Sequence, residues 1–284
     1  MTRLLYFVIF LPLQLLLVLL FSLVEPFRFL FTLLRPNRTV AGEFNRESCS
    51  LVMLNWNGLH LLRESIPALM DAVRADGRKH QVLVVDNGSN DGSVRWLEEN
   101  HPEVEILKLD ENLGFGRGNN LGVQAARNEI VVLLNNDMIV SRDFLAPLRE
   151  GFSGPEVFAV TSQVHFPADR RREETGATAA YFDRGYLHFT HLPLQPAHFR
   201  RRYLPVLWAG GGSSAFRRSM FLELGGFSDL YSPCYQEDVD LSYRAWRRGW
   251  HSLLAAESNV LHRHRSTSRS EEHTSELQSR QSNS

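Results

Sequence analysis

Three short apolar runs in the first half of the chain each end in a cluster of asparagine, aspartate or glycine, and this pattern restricts the fold most. The runs cover residues 51–54, 82–85 and 130–134, and a further strand signal covers residues 105–109. Segments with helical spacing lie between them, at residues 61–73, 93–99 and 119–126. Apolar strands that alternate with helices are typical of parallel sheets buried on both faces. The sequence therefore predicts an α/β, Rossmann-like domain with a mostly parallel sheet flanked by helices.

The polar clusters that end these strands form one candidate ligand site. The carboxyl ends of parallel strands meet at the same edge of a sheet, and ligands of α/β proteins bind there. Asp86 closes a buried strand and can accept hydrogen bonds from a base or a ribose, although Asp-Asn-Gly is also a common turn. The candidate binding residues at this edge are Asn55, Asn57, Asp86 and Asn136.

A second group of candidates lies in the glycine-rich stretch before the third predicted helix. Gly114, Gly116 and Gly118 precede that helix, whose first amide groups would face an anion. The candidate binding residues here are Gly114, Asn119 and Asn120. An alternative is a dinucleotide fingerprint, because Gly116, Gly118 and Gly122 with the later Asp137 resemble that of NAD-type oxidoreductases. Its spacing has one residue too many, and it leaves the later motifs without a role.

Asp137 is the candidate metal ligand. Residues 135–137 end their strand like a relaxed Asp-x-Asp element in which Asn135 replaces the first aspartate. Because Mg²⁺ and Mn²⁺ prefer oxygen ligands, Asp137 would be the main protein ligand, and the replacement predicts weaker binding. His262 and His264 follow a predicted strand, and either one is a candidate second ligand. Two solvated histidines are the alternative interpretation.

Three carboxylates crowd into four positions at Glu237, Asp238 and Asp240. Repulsion between like charges raises the pKa of at least one such group, and a raised pKa suits a general base. The alternative is a helix that begins with acids to complement its dipole. That alternative gives no reason for the Gly-Gly-Phe sequence at residues 225–227.

A run of three glycines at residues 210–212 leads into a predicted helix that begins at Arg217 and Arg218. Successive glycines cost conformational entropy, so they indicate that something approaches the backbone closely. Gly211 and Gly212 are therefore further candidate binding residues, and a flexible loop is the alternative.

The amino-terminal segment predicts a membrane anchor. Residues 4–24 form a run of 21 positions without a charge, which is long enough for a transmembrane helix. The run lacks the small residues of a signal-peptide cleavage site, and residues 27–34 predict a short interfacial helix. Positive charge at Arg28, Arg35 and Arg38 places the globular part in the cytoplasm by the positive-inside rule. The expectation is a single-pass protein of the inner (cytoplasmic) membrane.

Net charge and cysteine spacing exclude several classes of partner and site. The formal net charge of −1 provides no basic field, so no nucleic-acid partner is expected. The two cysteines, Cys49 and Cys234, stand at the spacing of neither a disulfide framework nor a zinc site, and both are expected to serve packing.

The ordered motifs resemble glycosyltransferase family 2, including its rhamnosyltransferase-like bacterial members. The resemblance covers residues 50–268 and rests on Val-Met-Leu-Asn-Trp-Asn-Gly, Val-Val-Asp-Asn-Gly-Ser, Asn-x-Gly-Phe-Gly-x-Gly-Asn-Asn, Leu-Asn-Asn-Asp, Gly-Gly-Gly-Ser-Ser, Gly-Gly-Phe and Glu-Asp-Val-Asp-Leu-Ser-Tyr-Arg. It implies a GT-A fold and inverting transfer of a sugar from a nucleotide-diphosphate sugar. The expected acceptor is a hydroxyl of a glycan or lipid-linked precursor in cell-surface polysaccharide synthesis. A non-catalytic sugar-nucleotide-binding protein stays as an alternative.

The resemblance also implies individual roles. Asp86 would bind the nucleotide base, and Asp137 would bind Mg²⁺ or Mn²⁺ with help from His262. Asp238, with Glu237 beside it, would be the catalytic base that deprotonates the acceptor hydroxyl.

The expected division of the chain is an anchor with interfacial segment at residues 1–40, a GT-A domain at residues 50–268 and a tail at residues 269–284. The tail has no apolar stripe and matches the translation of a common sequencing-library adapter, so we expect it to be artefactual.

Overall fold

The computed structural model describes residues 2–34, 44–166, 175–193, 201–232 and 235–263. It divides into two compact units, Met1–Thr39 and Val40–Ser284. The expected adapter-derived tail, His264 and Cys234 lie outside the described residues, whereas Cys49 is fully buried, as expected of a packing residue.

The first unit contains helix α1, Thr2–Leu34, with Pro12 and Pro26 inside it. Among the described residues, no helix is long and apolar enough to cross a membrane. The predicted transmembrane helix, and the single-pass inner-membrane localisation that depended on it, are therefore wrong.

The second unit alternates strands and helices along its first half and is richer in strands along its second half. The strands are β1 (Cys49–Asn55), β2 (Gln81–Asn87), β3 (Glu105–Leu109), β4 (Ile130–Asn135), β5 (Met138–Val140), β6 (Val157–His165), β7 (Thr178–Asp183), β8 (Tyr186–His191), β9 (Tyr203–Val206), β10 (Ser213–Arg217) and β11 (His251–His262). The helices are α2 (Leu59–Asp76), α3 (Ser93–Asn100), α4 (Gly114–Ala125), α5 (Leu145–Glu150), α6 (Arg218–Glu223) and α7 (Glu237–Trp246).

Nine of the described strands form one mixed sheet in the order β3-β2-β1-β4-β10-β6-β11-β5, with β9 also paired to β11. Strands β3, β2, β1 and β4 are mutually parallel, and β6 is parallel to β11. The pairs β4–β10, β10–β6, β11–β5 and β11–β9 are antiparallel. The prediction of a mostly parallel sheet is therefore wrong for the sheet as a whole, which is mixed because β10 runs against both of its neighbours.

Each face of the sheet has its own hydrophobic core. Side chains point alternately to opposite faces of a strand, so Met53 contributes to one core and Val52 to the other. Helices α2 and α5 cover the first face, where Leu62 and Ile66 of α2 are fully buried. Helices α4, α6 and α7 cover the second face. The predicted α/β architecture with flanking helices is thus confirmed.

Strand β11 contains a break in register that resets its pairing. Ala255 lies opposite Ser162 of β6, whereas the next paired residue, Asn259, lies opposite Gln163. Ser258, inside the break, is fully buried, and its hydroxyl donates to the Phe144 carbonyl at 2.8 Å. Before the break β11 pairs with β9, and after it with β5.

Strands β7 and β8 form a separate antiparallel hairpin. Its two-residue turn, Arg184-Gly185, has positive φ values of 47° and 87°, which match the right-handed twist of the strands. The Thr178 hydroxyl donates to the Trp208 carbonyl at 2.7 Å. The hairpin is thereby attached just before the glycine loop of residues 210–212.

Candidate active site

The polar ends of the three central parallel strands lie side by side. Asn55 is opposite Asp86 in the β1–β2 register, and Leu54 is opposite Asn135 in the β1–β4 register. The Asn136 side chain donates to Asn55 Oδ1 at 2.9 Å, and Asn55 Nδ2 lies 3.4 Å from Asp86 Oδ1. The predicted coincidence of these clusters at one edge is therefore found in the structure.

Ser89 links this edge to the loop after β1, and the sequence did not single it out. Its hydroxyl accepts a hydrogen bond from the Asn57 amide at 2.9 Å, and its own amide donates to Asp86 Oδ2 at 3.1 Å. Asn57 adopts a positive φ of 48° and accepts a bond from the Asn90 amide. Asn57 therefore shapes the loop at the rim of the site, and its predicted donor-binding role stays a prediction.

Asp137 and His262, which are 125 positions apart, meet at the end of this edge. Both are buried, and His262 Nε2 lies 3.2 Å from Asp137 Oδ2. The pairing of β11 with β5 causes the contact, because His262 lies opposite Met138, the neighbour of Asp137. Burial of His262 argues against the interpretation of a solvated histidine.

The Asp137–His262 pair has a chemistry that fits a hard divalent cation. Asp137 Oδ1 is buried and has no hydrogen-bond partner among the described residues. An unsatisfied buried carboxylate oxygen is costly unless a ligand takes it up. No group of three or more His, Cys, Asp or Glu side chains suited to a metal occurs in the described part of the chain.

The glycine loop at residues 210–212 runs between the strand ends and the acidic helix. A Cβ atom on Gly212 would lie 2.8 Å from Asn135 Nδ2, and one on Gly211 would lie 3.1 Å from the Phe115 ring. A Cβ atom on Gly210 would lie 3.7 Å from Asp238 Oδ2. Close packing within the protein thus explains why Gly211 and Gly212 lack side chains. After the loop the chain enters β10, so the helix predicted at Arg217 begins one residue later.

The glycines of α4 serve helix–sheet packing. Gly116, Gly118 and Gly122 lie inside α4 and not in a loop before it. A Cβ atom on Gly118 would lie 2.5 Å from Leu54, and one on Gly122 would lie 2.4 Å from Val52. Gly118 and Gly122 therefore let α4 approach β1, which is not the phosphate-cradling role that the dinucleotide alternative requires.

Asn119 and Asn120 use their side chains within the protein. Asn119 is 1% exposed, and its amide donates to the Phe115 carbonyl at 3.0 Å. Asn120 forms two hydrogen bonds with the backbone of Phe227. Gly114 begins α4 with a positive φ of 80°, and its amide is bonded to the Asn112 side chain. Their predicted donor-binding roles stay predictions.

The three acids of α7 have different environments. Glu237 is buried, and burial raises its pKa to about 7, with a smaller contribution from the charge of Asp238. Asp240 forms an ion pair with Arg244, and Asp238 Oδ1 accepts a hydrogen bond from the Val239 amide. A carboxyl with a raised pKa was predicted here, but burial contributes more to it than like-charge repulsion does.

The turn before these acids is strained. Tyr235 and Gln236 have φ values of 81° and 76° in succession. Residues other than glycine rarely adopt this left-handed region, which costs on the order of 1–3 kcal/mol each and is often found at functional sites. This turn ends where α7 begins, so Glu237 and Asp238 lie at the amino end of the helix, beside the glycine loop.

The globular part of the chain is similar to proteins of known family. The family model described as glycosyl transferase family 2 matches residues 50–225. The chain is 30% identical over 217 residues to the N-acetylglucosaminyl-diphospho-decaprenol L-rhamnosyltransferase of Mycobacterium tuberculosis, covering 66% of this chain and 68% of the relative. It is 28% identical over 219 residues to the O-antigen biosynthesis protein RfbC of Myxococcus xanthus, covering 74% of this chain and 16% of that relative.

Among solved structures, GalNAc-T7 with UDP, GalNAc and Mn²⁺ has a similar fold. The TM-score is 0.62 at 19% identity, and the alignment covers 78% of this chain and 45% of that structure. The mixed sheet with flanking helices and its strand-end site define the class of GT-A glycosyltransferases. The chain belongs to glycosyl transferase family 2. The comparisons give no support to a dinucleotide-dependent oxidoreductase.

Proposed function

We propose that this enzyme transfers a hexosyl or deoxyhexosyl unit, with inversion, from a nucleotide-diphosphate sugar to a hydroxyl of a glycan or lipid-linked acceptor in cell-surface polysaccharide synthesis. One observation carries the proposal. A continuous series of contacts runs from Asp86 through Asn55 to Asn136, with Asp137 next in the chain, and the glycine loop connects this edge to Asp238. The names of the rhamnosyltransferase and O-antigen relatives support the acceptor class.

The donor nucleotide would lie along the carboxyl ends of β1, β2 and β4. Asp86 is nearly fully buried, and its distances to Asn55 Nδ2 and the Ser89 amide, 3.4 and 3.1 Å, are long for hydrogen bonds to a carboxylate. The carboxylate therefore has capacity for a stronger donor, such as a base N–H or a ribose hydroxyl. Asn55, Asn57 and Asn136 fix the shape of the strand-end loops around it.

The diphosphate would lie beside Asp137 and His262. A bound Mg²⁺ or Mn²⁺ would stabilise the charge that develops on the leaving diphosphate. Asp137 would hold the cation with its unpartnered carboxylate oxygen, and His262 would orient the carboxylate through its 3.2 Å contact. Because Asn135 stands where a second carboxylate would strengthen the site, weak metal affinity is expected.

Asp238 would act as the catalytic base. The acceptor oxygen attacks the anomeric carbon, the bond from that carbon to the diphosphate oxygen breaks, and the hydroxyl proton passes to Asp238. The in-line displacement inverts the configuration at the anomeric carbon. Glu237, whose pKa is raised by burial to about 7, is largely uncharged below that pH and so does not repel the negative charge on Asp238.

Donor recognition can be tested by thermal shift with UDP-, GDP- and dTDP-sugars, each with and without Mn²⁺. A true donor should raise the Tm through binding to the folded state, and Mn²⁺ should enlarge the shift. Asp137→Asn should abolish the enlargement and keep the metal-independent part. Asp143→Asn is the matched control, because Asp143 is exposed and lies shortly after β5, the strand that directly follows Asp137. A panel without any shift would contradict the proposal.

Catalysis can be tested with the donor that this panel identifies. Asp238→Asn should lower kcat by at least about a hundredfold, as expected for loss of a general base, while the donor-induced Tm shift persists. NMR of the product should show inverted anomeric configuration. An Asp238→Asn enzyme with parental turnover, or a retained configuration, would refute the mechanism.

A further inference from the structure

The Gly-Gly-Phe turn before the acidic helix is clamped to α4 by one side chain. Asn120 Nδ2 donates to the Phe227 carbonyl at 2.8 Å, and Asn120 Oδ1 accepts from the Phe227 amide at 2.9 Å. A Cβ atom on Gly226 would lie 2.4 Å from Asn120 Oδ1, so the clamp requires glycine there. Asn120 thus satisfies both backbone groups of a single residue.

A second side chain ties the same turn to α7. The Arg244 guanidinium donates to the Leu224 carbonyl at 2.6 Å and to the Gly226 carbonyl at 2.8 Å. Its Nε donates to Asp240 Oδ2, one turn earlier on α7, at 2.8 Å. A planar guanidinium with several donors can make these bonds together, whereas an ammonium group cannot reproduce the geometry.

The clamped turn contacts the glycine loop. The Phe227 side chain is 2% exposed, its ring centroid lies 5.9 Å from that of Phe115, and its Cζ would lie 3.2 Å from a Cβ on Gly211. On the opposite side, the Ala209 amide donates to Ser242 of α7 at 3.2 Å. The loop is therefore held between Phe227 and α7, next to Asp238.

We propose that Asn120 and Arg244 are positioning residues for sugar transfer. Through the Gly-Gly-Phe turn they fix the position of the Gly210–Gly212 loop relative to Asp238. The inference rests on the proposed function for its kinetic consequence. It gives Asn120 a role distinct from the donor contact that its sequence motif suggested. It also assigns a purpose to Asp240, which fixes Arg244 and takes no part in the chemistry.

The test uses Arg244→Lys and Asn120→Asp in the full chain. Asn120→Asp keeps the side-chain shape but removes the donor to the Phe227 carbonyl. A displacement of about 1 Å at a reacting group reduces rates on the order of a hundredfold, so kcat should fall ten- to hundredfold in both variants. The donor KM and the donor-induced Tm shift should stay within about twofold. Arg248→Lys, which alters an exposed pair with Glu223, should leave kcat unchanged.

Amide hydrogen exchange at residues 209–212 provides a readout that does not need turnover. Both variants should exchange these amides several-fold faster than the parent and Arg248→Lys do. Parental exchange rates, or a raised donor KM with parental kcat, would overturn the positioning role. A parent without transferase activity but with the expected exchange pattern would instead refute the proposed function alone.

Discussion

Glu237 illustrates how burial changes the protonation of a carboxyl group. Its folded-state pKa of about 7 lies above the usual 4.5 because desolvation disfavours the charged form. The folded protein therefore holds this proton more tightly than the unfolded chain does. The contribution of Glu237 to stability is most favourable below pH 4.5 and is lost as the pH rises towards 7.

Glu237→Gln should therefore stabilise the protein in a pH-dependent manner. Removal of the buried charge should raise the free energy of unfolding at pH 8 by up to about 3 kcal/mol, and by less than about 1 kcal/mol at pH 5. Urea unfolding at both pH values measures the difference. Glu98→Gln, which alters an exposed pair with Lys108, should change neither value. An equal gain at both pH values would exclude burial of the charge as the cause.

Arg217 is a buried arginine at the end of β10 whose role is structural. Its guanidinium lies 4.1 Å from the centroid of the Phe44 ring and donates to the Pro155 and Gly154 carbonyls at 3.0 and 3.3 Å. Arg217→Lys should destabilise the protein by about 1–3 kcal/mol, because one ammonium group cannot satisfy all three contacts. Arg95→Lys, at an exposed pair, should change stability by less than about 0.5 kcal/mol. Chemical denaturation of the two variants measures this difference in the free energy of unfolding.

At the scale of the elements, α4 depends on small residues along one side only. Gly122→Ala would bring a Cβ atom 2.4 Å from Val52 and 2.9 Å from Val85, so α4 would have to move away from the sheet. We expect the free energy of unfolding to fall by about 1–3 kcal/mol, as it does in other overpacked cores. Gly116→Ala meets its nearest neighbour at 3.4 Å, so better helix propensity should make it neutral or stabilising. Thermal unfolding of both variants tests the contrast.

Local patterns predicted some elements well and others poorly. The strand predicted at residues 105–109 is β3 to the residue, and β1, β2 and β4 extend the predicted runs by one to three residues. The start of α4 was missed because its first turn is rich in glycine, which disfavours helix in isolation. Strand β10 was missed because it is short and partly polar, and Ser214 is satisfied only by Thr161 on a neighbouring strand.

At the scale of the whole molecule, one hydrophobic core joins the parallel half of the sheet, β1 to β4, to the mixed half. The core that contains Met53 and Val84 of the parallel half also contains Val160 and Val260 of the other half. The unit Val40–Ser284 should therefore unfold in a single cooperative transition. Calorimetric and van't Hoff enthalpies should agree, and two resolved transitions would show that the halves are independent.

The residues of the candidate site could be proposed from sequence motifs, whereas their arrangement could be predicted only in part. Asp86, Asp137 and Asp238 follow from motifs, and parallel topology brings the first two to one edge. The contact between Asp137 and His262 depends on pairing across 125 positions, which no local pattern encodes. The clamping role of Asn120 also requires knowledge that the Gly-Gly-Phe turn folds back onto α4.

The register break in β11 has a consequence for how this chain tolerates changes in length. Side chains alternate between the faces of a strand, so removal of one residue between Ala255 and Asn259 would turn His262 to the opposite face and away from Asp137. Removal of two would restore its orientation. The parity of this short segment, which no ligand touches in the proposed mechanism, therefore decides whether the contact between Asp137 and His262 can form at all.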